Sequence, residues 1–308
     1  MPGSEPRSPR PRRPPARGTV AGVGLILAAV SCFSILDTTT KTVMPLVPLL
    51  MAVWVRYVVQ AVVSTAILWP AQGRALWRTS KPGLQTLRGL LLLTSTLFAF
   101  YSLAYIPLGE FTAIAMLTPL AITVLAATVL KEAVSLWRWA CVLGGLGGAL
   151  LIIRPGGNNF HWTWLMPLGV VASNAWFQLL TSSLARTDSP STTHFYTGWV
   201  ATLATSLLLP VFWVNVADGQ LWLRMVFMGC AGAVGHYCLT MAYARAPAAS
   251  LTPYLYAQIG VSMLLGWLVF QHVPDTWGLA GMGVIAVSGA SSAWLTWCEL
   301  RYALSPRI

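Results

Sequence analysis

Long apolar runs and short polar interruptions alternate along almost the whole chain. Runs of about twenty mostly apolar residues, the length a helix needs to cross a bilayer, recur at 19–37, 47–69, 88–107, 111–130, 137–154, 163–184, 194–215, 221–243, 248–270 and 276–298. The pattern predicts an all-α polytopic membrane protein of ten transmembrane helices. Between Gly89 and Leu130 the apolar run is nearly continuous, too long for one span, and Pro107-Leu108-Gly109-Glu110 is the turn that divides it. Arg245-Ala246-Pro247 makes a second break of the same kind.

A shift of 140 residues lays Pro107 on Pro247, Thr112 on Thr252, Trp137 on Trp277, and Lys131-Glu132 on Gln271-His272. Two copies of five helices are therefore expected, over 19–155 and 156–298, flanked by a disordered basic tail at 1–18 and a short tail at 299–308. Five is odd, so the second copy must run upside down relative to the first. Inverted repeats place a binding site near the midplane and allow alternating access by rocking.

Composition agrees: 56% of the 308 residues are hydrophobic and 9% are charged, far below the quarter or so usual in soluble domains. The net charge of +11 does not form one patch, so nucleic acid is not an expected partner. Placing the N-terminus in the cytoplasm puts fifteen of the 19 Lys and Arg residues on the cytoplasmic side, three outside (Lys41, Arg154, Arg224) and Arg56 inside a span. That bias follows the positive-inside rule and places both termini in the cytoplasm, as expected of a bacterial inner-membrane protein. Arg12-Arg13 and Arg17 before an apolar run mimic a secretory signal, but the run continues past Cys32 into further membrane segments, which argues against cleavage. Cys32, Cys141, Cys230, Cys238 and Cys298 all fall in apolar blocks without metal-ligand spacing. No metal, cofactor or catalytic residue is predicted.

Ala104-Tyr105-Ile106-Pro107, Ala113, Pro119 and Leu130-Lys131-Glu132, with Ala246-Pro247-Ala248-Ala249-Ser250, Pro253, Tyr256, Gly266, Phe270 and Pro274-Asp275, resemble the drug/metabolite transporter superfamily in its EamA branch of two five-helix repeats. His272 departs from the acidic residue usual there. The resemblance implies secondary transport of amino acids, amines, vitamins or related metabolites, often as export.

Charges within spans mark candidate chemistry. Asp37 is expected to end the first helix, where it either binds substrate or a proton or pairs with Lys41 four residues on. Arg56, the only basic residue read as deep in a span, either meets a substrate carboxylate or locks helices together. Glu110 is read as a solvated carboxylate of the outer turn and Glu132 as a cytoplasmic surface partner of Lys131 or Arg138. His236 is either a core hydrogen-bonding group or a member of a proton path. Asn174 and Gln178, and likewise Tyr254 and Gln258, share a helical face at i, i+4 and are expected to line a polar slot, with inter-helix hydrogen bonding as the alternative. Pro119 and Pro253 are candidate hinges. Phe98, Phe100, Tyr101 and Trp176 lie deep enough to stack on a substrate.

The expected function is secondary transport of a small organic metabolite by alternating access, written first as export of an amino acid or amine. The alternative is import of a vitamin such as riboflavin, which the aromatic and amide residues suit. An intramembrane transferase would gather carboxylates and histidines at one face, whereas Asp37, Glu110, Asp218 and Asp275 are dispersed. The expected partners are a small-molecule substrate and the lipid bilayer, with a homodimer allowed.

Overall fold

The computed structural model describes residues 16–129, 131, 134–156, 160–184, 187–245 and 248–303. Among these there is no strand, and twelve α-helices follow in order. They are α1 (Ala16–Val43), α2 (Leu49–Gln72), α3 (Pro82–Tyr105), α4 (Leu108–Ala115), α5 (Thr118–Thr128) and α6 (Leu136–Ile153), then α7 (Met166–Leu184), α8 (Pro190–Phe212), α9 (Gly219–Arg245), α10 (Ala248–Leu255), α11 (Ala257–Phe270) and α12 (Thr276–Ala303). Taking α4–α5 and α10–α11 as one span each gives the ten spans read from hydropathy. Nine segments among the described residues are long and apolar enough to cross a membrane. The exception is α7, whose Asn174, Gln178, serines and Thr181 dilute its apolar character.

The 140-residue offset reappears in the elements. Helices α4 and α10 begin and end 140 residues apart, α3 and α9 end 140 apart, and α6 and α12 begin 140 apart. Lys131 and Gln271, also 140 apart, both adopt a left-handed backbone, with φ of 57° and 53°. Packing repeats the relation. Helix α1 runs along α9 as α7 runs along α3, α2 meets α9 as α8 meets α3, and α2–α8 and α6–α12 pair across the centre.

Glycine sets the closest of these approaches. A Cβ on Gly148 would lie 2.8 Å from the Gly281 carbonyl oxygen, and one on Gly281 would lie 2.6 Å from that of Gly148, so α6 and α12 touch backbone to backbone. On α9, Gly229, Gly232 and Gly235 recur every three residues against Val59, Leu36 and Phe33 and seat α1 and α2.

Several boundaries differ from those expected. Helix α1 continues to Val43, so Asp37 lies within the helix rather than at its end. The polar run Thr38-Thr39-Thr40 does not stop it, because each hydroxyl donates to the carbonyl four residues back, on Ser34, Ile35 and Leu36. Helix α3 starts at Pro82, not 88, a first-turn position where proline costs nothing. The ninth span breaks at Tyr256, directly opposite the Met116-Leu117 break of the fourth in the 140-residue register. Pro119 follows its break, and the Ala115 carbonyl that Pro119 cannot engage accepts the Thr118 hydroxyl at 2.8 Å. Pro253 lies inside α10, three residues before its break. Both candidate hinges thus sit beside real interruptions. The predicted turn residues Ala246-Pro247 and Glu132 lie outside the described residues.

Candidate functional site

Helix α2 carries Arg56, Gln60 and Ser64 four residues apart, which puts them on one face. Each is enclosed, with 5%, 1% and 7% of its surface exposed. The guanidinium of Arg56 donates from Nη1 to Thr96 Oγ1 on α3 at 3.1 Å. It also lies 4.7 Å from the Tyr57 ring centroid and 5.9 Å from that of Phe100, contacts that favour a cation over a π face. Thr96 Oγ1 and Tyr57 Oη are 2.7 Å apart. On the other wall, Gly232 of α9 brings no side chain, and a Cβ there would stand 3.7 Å from Arg56 Nε.

Further along the stripe Ser64 Oγ lies 2.9 Å from His194 Nε2 of α8. The His194 ring is 6.3 Å from that of His236 on α9, which in turn meets Phe33 of α1 edge-on at 5.0 Å. Asp37 of α1 is 9% exposed, and its neighbour Leu36 flanks Gly232 together with Arg56. Helices α1, α2, α3, α8 and α9 thus converge on one polar cluster in an apolar surround.

The cluster is incompletely satisfied. Arg56 Nε and both polar atoms of the Gln60 amide are buried without a hydrogen-bond partner. Asp37 makes no hydrogen bond or ion pair among the described residues. In a dry interior such groups are costly. The arrangement offers an amide donor and acceptor, a guanidinium N–H, a carboxylate, two imidazoles and aromatic faces.

Of the residues singled out from sequence, Asp37, Arg56 and His236 meet here. Lys41 does not pair with Asp37; its Nζ donates to the carbonyls of Leu103 and Ile106 at 2.9 and 2.8 Å, capping the end of α3. Apart from Phe100, the remaining candidates make no hydrogen bond or ring contact with the cluster's residues among the described residues. Asn174 is half-buried, whereas Gln178 is exposed and Trp176 is 40% exposed. Tyr254, 43% exposed, and Gln258, 8% exposed, fall on opposite sides of the break at Tyr256, so the i, i+4 face expected for them is interrupted. None of the four amide and phenol side chains (Asn174, Gln178, Tyr254, Gln258) makes an inter-helix hydrogen bond among the described residues. Tyr101 stacks on Trp162 at 5.6 Å and leans on Tyr105. Phe98 packs against Gly169 of α7.

Two readings of charge are corrected. Glu110 is no solvated turn residue: it is 6% exposed in the first turn of α4, and its Oε1 is 2.9 Å from His272 Nε2. Histidine in place of the family's acidic residue is thereby explained, since a second carboxylate would repel Glu110. Nor is Arg56 the only buried arginine. Because α3 begins early, Arg88 lies within it, 6% exposed, with Nε on Thr181 Oγ1 at 2.6 Å and Nη1 on the Thr193 carbonyl at 3.1 Å and on Thr197 Oγ1. Beside it Gln85 donates to Asp188 at 2.7 Å.

Sequence reading missed Gln60, His194 and Arg88. For Gln60 a signal existed: polar residues at 56, 60 and 64 repeat at four-residue spacing in an otherwise apolar span.

Comparison with known proteins follows the same lines. The profile described as the EamA-like transporter family matches residues 20–154. A riboflavin transporter of Vibrio cholerae is 31% identical over 238 residues, spanning 77% of this chain and 80% of that one. An S-adenosylmethionine uptake transporter of Rickettsia prowazekii is 24% identical over 69% of this chain and 72% of its own. A pseudopaline exporter of Pseudomonas aeruginosa is 25% identical over 87% and 94%. One solved crystal structure superposes with a TM-score of 0.63 at 20% identity, covering 91% of this chain and 98% of that one, a likeness of fold.

Proposed function

We propose that the chain, which belongs to the EamA-like transporter family, takes up a flat, hydrogen-bonding heterocycle of the riboflavin type through the cluster on α2. Membership makes it a multi-pass membrane transporter of a small molecule; cargo and direction are the finer reading. One observation carries that reading: the Gln60 amide and Arg56 Nε, buried and unpaired, are donors and an acceptor suited to the edge of a heterocycle. The aromatic rings of Tyr57 and Phe100 beside them suit its plane. A relative named for riboflavin, above 30% identity, supports the same cargo.

In this reading the bilayer is a bacterial inner membrane. The end of the bundle that bears Arg74, Arg78 and Lys81 faces the cytoplasm, in keeping with the positive-inside rule. The two repeats rock about the slot, with the breaks at Met116-Leu117 and Tyr256 absorbing the change. Asp37 and His236 are the groups that would carry coupling protons. If replacing both left uphill uptake intact, that part would fall.

The test is growth of a riboflavin-auxotrophic bacterium on limiting riboflavin with the chain expressed. Restored growth that fails with Arg56→Ala is the expected result. Membrane expression without growth, together with flavin accumulation in inside-out vesicles, would reverse the direction to export. A second reading has one observation behind it. Asp37 and Arg56 present opposite charges across the slot, as a zwitterionic amino acid requires, and competition by such amino acids would favour it.

A further inference from the structure

The polar stripe on α2 is anchored at both ends and free in the middle. Arg56 is held through Nη1 by Thr96, and Ser64 is held by His194. Between them the Gln60 amide is 1% exposed, with Nε2 and Oε1 both unpartnered, and Arg56 keeps its Nε unpartnered as well. Both lie on one helical face one turn apart, a spacing of about 5–6 Å between their Cβ atoms.

Taken together, the free groups are two donors and one acceptor: the amide N–H, the guanidinium Nε–H and the amide carbonyl. Two acceptors and one donor complement them, as on the edge of a cyclic imide in which one N–H stands between two carbonyls. The isoalloxazine ring of a flavin carries such an edge. We propose that Gln60, assisted by Arg56 Nε, is the specificity-determining residue that reads an imide edge of the transported heterocycle. This deepens the flavin reading above and rests on it.

The consequence concerns what is refused. A site whose buried amide must be paired by the cargo rejects a cargo that lacks the pairing group, because both sides are then left unsatisfied. Methylating the imide nitrogen removes the donor and sets a methyl group against the Gln60 carbonyl, while leaving the ring plane and the rest of the molecule unchanged.

The experiment measures riboflavin and its N3-methyl derivative as ligands of the purified full-length transporter, by binding titration and by competition in uptake. Wild type is compared with Gln60→Met, which keeps the side-chain length and removes both polar atoms. Wild type is expected to bind the methylated flavin about tenfold to a hundredfold more weakly than riboflavin. Gln60→Met is expected to lose that ratio and to bind riboflavin about tenfold more weakly. Its ligand-free melting temperature should equal or exceed that of wild type, since an unpaired buried amide has been removed.

A wild type that accepts both flavins equally overturns the proposal while leaving flavin transport standing. Retained discrimination in Gln60→Met overturns it too, as does a variant that melts lower or cannot be purified, because the amide would then be structural. Binding of neither flavin to wild type would overturn the uptake reading and this one with it.

Discussion

Two arginines are buried to nearly the same degree, Arg56 with 5% and Arg88 with 6% of its surface exposed, and the bundle treats them in opposite ways. Arg88 is saturated. It donates to Thr181, to the Thr193 carbonyl and to Thr197, lies 4.3 Å over the Phe177 ring, and so ties α3 to α7 and α8. Arg56 has one hydrogen bond, to Thr96, and an idle Nε beside an equally idle Gln60. Single unpartnered atoms occur elsewhere too, at Gln85 Oε1, Glu110 Oε2 and Arg138 Nε. What sets the α2 stripe apart is that two neighbouring side chains leave free groups on one helical face, with the whole Gln60 amide unpartnered.

Exchanging the fates of the two arginines is the strongest way to break this contrast. Arg56→Ala should lower riboflavin uptake by about a hundredfold or more, because a charge-assisted contact to cargo is lost, with the melting temperature in detergent close to that of wild type. Arg88→Ala should do the reverse in kind. Its loss removes the hydrogen bonds that tie α3 to Thr181 of α7 and to Thr193 and Thr197 of α8 and costs about 3 kcal/mol of stability, seen as a clear fall in melting temperature.

A smaller effect is expected at the periphery of the bundle. Glu110→Gln, which keeps the shape and removes the charge facing His272, should cost about 1 kcal/mol, read by the same thermal melt, with little change in affinity for cargo.

The loops give a pH test of the satisfied class. Partial burial pushes the Asp188 carboxyl up, but hydrogen bonds from Thr79, Gln85 and Ser80 outweigh it and hold the group below its ordinary value. A depressed folded value means that its contribution is present above the unfolded carboxylate range, near 3.9, and is lost as pH falls through the folded value. Asp188→Asn should therefore lower the melting temperature at pH 7, by about 1 kcal/mol, and the difference from wild type should vanish on strong acidification. Asp275 is held low in the same sense, first by its hydrogen bond to Arg154 and then by the Gly278 N–H. Its side chain is 57% exposed, so Asp275→Asn should cost about half a kcal/mol or less, the smallest effect of the series.

Much of the fold was legible because lipid imposes a coarse rule. The helical segments, the 140-residue offset and the turn at Pro107 survive, with nine segments among the described residues long and apolar enough to span. What hydropathy could not show is where a helix ends when polar residues satisfy themselves. The threonines at 38–40 bond back to their own helix and carry α1 past Asp37, and Pro82 starts α3 early enough to bury Arg88. The site was half legible. Charges such as Asp37, Arg56 and His236 stand out in an apolar run. Gln60 and His194 acquire meaning only when α2, α8 and α9 are brought together, because satisfaction of a polar atom is a property of three-dimensional neighbours. Asn174 and Gln178 share one continuous helix, α7, yet one is half-buried and the other exposed, and Tyr254 and Gln258 lose their common face because their helix breaks between them.

The central claim is that the unpaired polar stripe of α2 is where cargo binds. Flavin-dependent thermal stabilisation of the purified protein tests it most directly, with Arg56→Ala measured beside wild type. At a flavin concentration one hundred times Kd a bound cargo adds about 2.7 kcal/mol, a readily measured upward shift in melting temperature. The account predicts that wild type shows that shift, and that Arg56→Ala melts like ligand-free wild type and does not respond. An Arg56→Ala protein that is stabilised by flavin as strongly as wild type would contradict it and move the site elsewhere in the bundle.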